Sequence, residues 1–351
     1  MLRIEMLPAA EGDALWIEYG HPNAPRRILV DGGPARTYHA LRSRILALPR
    51  GGRRFELVVA THIDADHIDG IILLLRDELE VEIGDLWFNG YPQLIAADTQ
   101  GPAEGEILGA LIQERELPWN AAFDRGPAIV AQGFSPLQLA GGMKVTIVGP
   151  TRRELQILLQ EWDAVLADED WVPGDPERAL AELEERRRLR TPPRIAGPLP
   201  DELGDEDVDP SKANGASIAF ILEDADGRRA LLTGDAHGDV LTPQLQALGD
   251  GARIKVDAFK LPHHGSKNNV SAELLAVVDP KRYLVSSSGA KYKHPDAVAI
   301  ERVLARHADS SRKAAISFNY RSLYNEMWAD PELQEQRGYK ATYPQGIVVE
   351  L

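Results

Sequence analysis

Apolar residues recur along this chain at two spacings, and the switching between them predicts an α/β protein. Leu2, Ile4 and Met6 alternate with polar neighbours at period two, and Ala14–Tyr19 and Arg27–Val30 follow as further strands, with Glu11-Gly12-Asp13 as the turn between the first two. Ile28–Gly33 reads as a buried strand ending in a tight loop, and Thr37–Leu48 then places Leu41, Ile45 and Leu48 on one helical face. Phe55–Ala60 is a short buried strand that runs into Thr61–Gly70, after which Ile71–Leu79 continues as a helix. Residues 80–150 alternate short strands and helices and close on the strand Gly141–Pro150. Thr151–Leu166 and Pro176–Arg190 have helical spacing; the second is polar, with Glu182–Arg186 and Glu184–Arg188 four residues apart. Residues 191–213, rich in proline, glycine and acid, read as a loop or flap. Beyond it, Ser217–Leu222 and Arg229–Leu232 flank Asp226-Gly227 as a hairpin, and Val240–Leu248 is a helix. Val256–Leu261 and Tyr283–Ser287 are strands, Pro295–His307 a helix and Gly346–Leu351 a closing strand.

Composition narrows the reading. A chain of 351 residues makes one large domain or two ordinary ones, and 44% hydrophobic with 26% charged residues is a globular balance. There is no cysteine, which excludes disulfides and thiolate metal sites. No stretch reaches the roughly 18 apolar residues of a membrane span. The start, MLRIEMLPAAEGDALWIEYG, lacks a basic stretch followed by an apolar run, so the cytoplasm is the default location. A net charge of −15 argues against a broad duplex-binding face. It leaves room for a small phosphate ester held through metal ions, which supply positive charge locally.

The chemistry concentrates where three buried strands stop, the position at which open α/β sheets bind ligands. After Phe55–Ala60 comes His62-x-Asp64-x-Asp66-His67, four metal-capable side chains within six positions. Alternate residues of an extended loop project the same way, so His62, Asp64 and Asp66 converge, and His67 turns back from the start of the helix. A helix cap would need one carboxylate here and no histidine. The second strand end carries Thr233-Gly234-Asp235, by itself an ordinary turn, and the third carries Pro262-His263-His264-Gly265-Ser266-Lys267. Three strand ends that each offer histidine or aspartate point to one metal centre. Imidazole and carboxylate suit divalent zinc, manganese or iron, and two ions about 3.5–4 Å apart would activate a shared water. Carboxylates packed this closely would repel strongly without cations. His294, before Pro295, is a candidate donor to a substrate oxygen; Ser266 and Lys267 are candidate phosphate contacts; and Asp31 is a candidate tie for the His62 loop.

The segment HIDADHIDG resembles the first metal motif of the metallo-β-lactamase superfamily, with Asp64 where most members have a second histidine. That HxDxDH variant is typical of the hydrolase domain of the DNA-uptake protein ComEC and its stand-alone relatives. Gly12-Asp13-Ala14, Val30-Asp31-Gly32-Gly33, Asn214-x-x-Ser217, LLTGDA, PHHGSK, Lys293-His294-Pro295 and Tyr339–Gly346 look like the same group, in its order. Residues 151–213 and 318–337 do not match and look like insertions. The resemblance implies a four-layered αβ/βα sandwich over residues 1–351, with the polar helical insertion at 151–213 inside a single domain. It implies two divalent metal ions, zinc or manganese with magnesium also acceptable. His62 and Asp64 would hold one ion, Asp66 and His67 the other, Asp235 would bridge, and His264 would be the last histidine ligand with His263 the alternative. Asn214 falls where the superfamily has its third histidine and is a poorer ligand; it becomes a candidate substrate contact.

The function implied is a metal-dependent hydrolase, foremost a phosphodiesterase or nuclease acting on single-stranded or short nucleic acid, with Asp66, His263 and His294 as its catalytic residues. A small ester, lactone or lactam is the alternative substrate class. A role as effector subunit in a defence or DNA-uptake assembly, docking through the 151–213 insertion, belongs to another class.

Overall fold

The computed structural model describes residues 1–95, 103–168, 174–189, 209–308, 312–343 and 347–351. Two large sheets carry the chain. The first runs, edge to edge, Ile347–Glu350, Leu2–Met6, Leu15–His21, Ala24–Val30, Leu57–Val59 and Leu86–Trp87. Its first four strands are antiparallel and its last three parallel, Ala24–Val30 belonging to both runs. The last strand of the chain pairs with the first, Ile4 opposite Val349. The second sheet runs Tyr339–Thr342, Ala314–Phe318, Val278–Val285, Ile254–Lys260, Arg229–Leu232, Ala219–Glu223, Lys144–Gly149 and Leu137–Gln138. The first five of these are parallel and the remainder antiparallel.

The period-two pattern decides which side chain enters which layer. Ile28, Val30, Leu57 and Val59 face across to Phe220, Leu222, Leu232 and Leu284, forming an apolar seam between the sheets. The alternate residues Trp16, Leu29 and Val58 turn the other way and pack under Leu41, Ile45, Ile71 and Leu75, which lie on the helices Tyr38–Leu46 and Ala65–Arg76. On the outer face of the second sheet, Phe259, Tyr283 and Ile316 meet Leu241, Leu274 and Ile300 from the helices Gly238–Leu248, Ala272–Val277 and Ala297–Arg306. Helix, sheet, sheet, helix is an αβ/βα sandwich.

The predicted insertion contributes helices at Arg152–Asp168 and Pro176–Leu189. Leu155, Leu158, Ala179 and Leu183 are buried in the core on the helical side of the first sheet, so these polar helices close that layer. Glu184 pairs with Arg76 at 3.2 Å; the side chains of Arg186 and Arg188 lie outside the described residues. Of the acidic stretch 199–210 only residues 209 and 210 are described, and Gly346 also falls outside. Among the described residues no helix is long and apolar enough to cross a membrane.

At the metal-type motif the boundary differs from the sequence reading. The helix expected from Ile71 begins at Ala65, inside the metal-type motif. Asp64 is the extended residue before it, and its side chain makes no capping hydrogen bond, so that carboxylate is not spent on the helix end. Asp66 and His67 therefore project from a first helical turn, and only His62 and Asp64 follow the alternate-residue geometry of a loop.

Candidate metal centre

Close backbone packing aims the first motif. His67 O accepts from Gly32 N and Gly33 O accepts from Gly70 N, each at 2.8 Å, which bolts the helix to the loop after Ala24–Val30. A Cβ on Gly70 would land on the Gly32 carbonyl, and one on Gly12 on the Asp66 carbonyl. Asp31, with φ of 59°, ends the strand and turns its carboxylate inward. Its Oδ1 accepts from Thr61 N at 2.8 Å, and its Oδ2 accepts from Thr61 Oγ1 at 2.8 Å and from His67 Nδ1 at 2.9 Å. The other strand ends bring the remaining groups to the same edge. His67 Nε2 and His264 Nε2 each lie 3.3 Å from Asp235 Oδ2, and His62 Nε2 lies 3.6 Å from Asp64 Oδ2.

The imidazoles share one design. His67 Nδ1 faces Asp31, His264 Nδ1 faces the Ser286 carbonyl at 2.8 Å, and His62 Nδ1 lies 3.0 Å from Thr61 Oγ1 and 3.3 Å from Ser217 Oγ. Each ring is held at Nδ1 and turns Nε2 inward, as metal-binding histidines are usually held. The Nε2 atoms of His62, His67 and His264, with Asp235 Oδ1 and Asp13 Oδ1, are buried without a hydrogen-bond partner. Buried polar atoms seldom go unsatisfied, and three imidazole Nε2 atoms gathered about Asp235 call for a cation. Ligand atoms of His62, His67 and Asp235 lie within 4.8 Å of one another, as do those of Asp66, His67 and His264, so the donor set fits divalent metal. His264 is fully buried with Nε2 3.3 Å from Asp235 Oδ2, whereas His263 Nε2 lies 3.9 Å from that oxygen and its side chain is 20% exposed.

Crowded carboxylates need positive charge, and the imidazoles meet part of that need. Burial alone would lower the pKa of His67, but Asp235 and Asp31 outweigh it and push it well above its ordinary value. His264 is likewise lowered by burial yet raised overall to about 9 by Asp235 and Asp13. Divalent cations would supply the same charge and release those protons.

The other candidates sit further out. The His294 ring lies 5.2 Å from that of His263, with Nδ1 3.5 Å from Asp296 Oδ2. Lys267 is on the same rim, its backbone N donating to Asp296 Oδ2 at 2.7 Å. Ser266 is buried and its Oγ accepts from Asn268 N at 3.3 Å, within its own loop. Asn214 is buried, its amide donating to Asp209 Oδ2 at 2.7 Å.

Four residues went unrecognised as site components. Lys260 is fully buried, its ammonium against the Asp13 carboxylate, 3.2 Å from Gly234 O and 3.9 Å from Asp235 Oδ1. A lysine ending the apolar strand run VDAFK was the available signal. Asp13 was visible as a turn residue and within the Gly12-Asp13-Ala14 segment, with no role assigned to its carboxylate. Asp209 and Asn269 left no signal in the sequence.

No family model matches the sequence. Over 125 residues the chain is 26% identical to ComE operon protein 3 of Bacillus subtilis (strain 168), a match covering 34% of this chain and 16% of that relative's length. Among solved structures it is similar to a diphosphatase of the PhnP family, at 12% identity, TM-score 0.41, and coverage of 97% of this chain and 85% of the other. It is also similar to the metallo-β-lactamase fold protein YhfI from Bacillus subtilis, at 11% identity, TM-score 0.44, and coverage of 100% and 99%. The chain is an αβ/βα sandwich that brings HIDADH from one sheet and TGD and PHHG from the other to the same edge of the sandwich. Loops that follow parallel strands carry His62, Asp235 and His264, which is how they come together here from distant parts of the chain.

Proposed function

We propose that this chain is a metal-dependent phosphodiesterase whose single catalytic unit spans residues 1–351 and whose substrates are short or single-stranded nucleic acids. The observation that carries the reading is the gathering of three unpartnered imidazole Nε2 atoms, of His62, His67 and His264, about the Asp235 carboxylate. His62, Asp64, Asp66, His67, Asp235 and His264 would hold the metal. The charge supports two ions: the site gathers the carboxylates of Asp13, Asp31, Asp64, Asp66 and Asp235 with the ammonium of Lys260, which pairs with Asp13 and lies 3.9 Å from Asp235 Oδ1, and two divalent cations would balance the remaining four negative charges. When bound, such a pair lowers the pKa of water and clamps a scissile oxygen. Asp64 and Asp66 supply hard oxygen donors, which admit manganese and magnesium beside zinc.

The chain's own residues do the rest. Asp31 holds the Nδ1 proton of His67 and so keeps its ring in register. Asp66 and His263 stand at the cavity wall, where they would manage the proton of the attacking water. His294 and Lys267, on the rim, would meet the leaving side of a phosphodiester. The net charge of −15 favours a short or flexible substrate over a duplex, and it also keeps hydrolysis of a small ester, lactone or lactam as the competing reading.

The test is elemental analysis of the purified protein together with turnover of bis(p-nitrophenyl) phosphate and nitrocefin across added manganese, zinc and magnesium. We expect bound divalent metal, phosphodiester turnover, and loss of both in His62→Ala and Asp235→Ala. Full metal content and activity in those variants would refute the site, and turnover of nitrocefin alone would refute the substrate class.

A further inference from the structure

A second hydrogen-bonded cluster stands against the metal cavity, built on Asp209 at the end of the acidic stretch. Its Oδ2 accepts from Asn214 Nδ2 at 2.7 Å, Asn269 Nδ2 at 2.9 Å and His263 Nδ1 at 3.0 Å. Only 7% of Asp209 is exposed.

The network fixes which nitrogen of His263 carries the proton. Asn269 Nδ2 faces three acceptors: Asp209 Oδ2, the Asp235 carbonyl at 3.1 Å and the Ala236 carbonyl at 3.4 Å. Flipping that amide would set oxygen against oxygen three times, so its Oδ1 must be the atom 3.0 Å from His263 Nδ1. The Asn214 amide nitrogen lies further from Nδ1, at 3.4 Å, and donates to Asp209 Oδ2 at 2.7 Å. Both partners of Nδ1 at 3.0 Å are acceptors, hence Nδ1 bears hydrogen, and the neutral ring then carries its lone pair on Nε2. Nε2 lies 3.9 Å from Asp235 Oδ2, and the side chain retains 20% exposure, so the lone pair meets the cavity at its open edge. The backbone makes this orientation costly: His263 and His264 have φ of 46° and 56°, a region that non-glycine residues enter only when their surroundings hold them.

We propose that Asp209 is the positioning residue of His263, holding the ring and its Nδ1–H tautomer so that Nε2 faces the metal cavity as a proton acceptor. The use of that acceptor rests on the hydrolase reading; the tautomer does not. In the hydrolase, a proton passing from the attacking water to Nε2 would leave an imidazolium, and the Asp209 carboxylate would offset its charge.

The test uses the full chain labelled with ¹⁵N-histidine, read by long-range ¹H–¹⁵N correlation at one fixed pH, with His263→Gln to assign the signal. The parent should show His263 in the Nδ1–H form. Asp209→Ala should populate the Nε2–H form and Asp209→Glu should restore the parent pattern. In parallel, Asp209→Ala should lower kcat by about tenfold or more with KM little changed, metal content intact and recovery in Asp209→Glu. An Nε2–H tautomer in the parent, an unchanged spectrum in Asp209→Ala, or loss of bound metal in that variant would overturn the proposal. A parent inert on every phosphodiester would sink the hydrolase reading instead, with the tautomer still deciding the role of Asp209.

Discussion

Replacing Lys260 by methionine removes the one buried ammonium beneath the metal cavity while keeping most of the side chain's volume. Its carboxylate partner Asp13 and the neighbouring Asp235 are both nearly inaccessible to water, at 1% and 3% exposure. Burial alone would raise the pKa of Asp13, but Lys260, followed by His264, reverses this and holds it below the usual carboxylate range. Without the ammonium, Asp13 must stay charged in a dry site with the His264 ring, 3.5 Å away, in place of its strongest partner, or take up a proton. Breaking a buried pair from one side costs about 3–5 kcal/mol, and no surface screening reduces that here. Against a total stability of about 5–15 kcal/mol this is a large fraction. In a chain this long, roughly 1–2 °C of melting temperature is lost per kcal/mol, giving a drop of about 5 °C. Thermal melts of chelator-treated protein would read it. Lys260→Met with Asp13→Leu should recover most of the loss, because an apolar pair of similar volume leaves no buried charge uncompensated. Added manganese should narrow the deficit of the single variant by returning positive charge to the cavity. A single variant melting within about 1 °C of the parent, or a double variant no better than the single, would refute the reasoning.

Two further predictions test the frame around the site. Gly70→Ala, which in an exposed helix would stabilise by about 1 kcal/mol, should here destabilise by about 3 kcal/mol or more, since the new methyl meets the Gly32 carbonyl; a denaturant midpoint equal to or above the parent's would count against that packing. Burial raises the pKa of Glu106 from 4.5 to about 7, with Asp175 adding to the shift and the Gly174 N–H opposing it. The unfolded chain loses this proton first, so stability should fall as pH rises between those two values and stay lowered above them. Glu106→Gln should therefore gain about 1–2 kcal/mol over the parent at pH 8 and little at pH 4, the lower figure allowing for partial solvent screening; melts showing a gap that does not vary with pH would contradict the assignment.

Many of the strands and helices, and the three strand ends with metal-capable side chains, were legible in the sequence because they rest on local rules; the strand Ala314–Phe318 and the helix Ala272–Val277 were not read. Period-two alternation separates Ile28 and Val30 from Leu29, and short-range chemistry marks HIDADH, TGD and PHHG as strand ends with metal-capable side chains. Tertiary structure decided what those rules cannot reach. The helix start at Ala65 follows from the close approach of Gly32 and Gly70, a contact between separate elements. The preference for His264 over His263 depends on depth and distance to Asp235, which adjacent positions in one loop do not reveal. Lys260 meets Asp13 across nearly the whole chain, and Asp209 reaches His263 from a stretch whose acidity reads as solvated surface. Electrostatic and hydrogen-bond partners are chosen by proximity in space, and only the packed sandwich brings these groups within a few ångströms of one another.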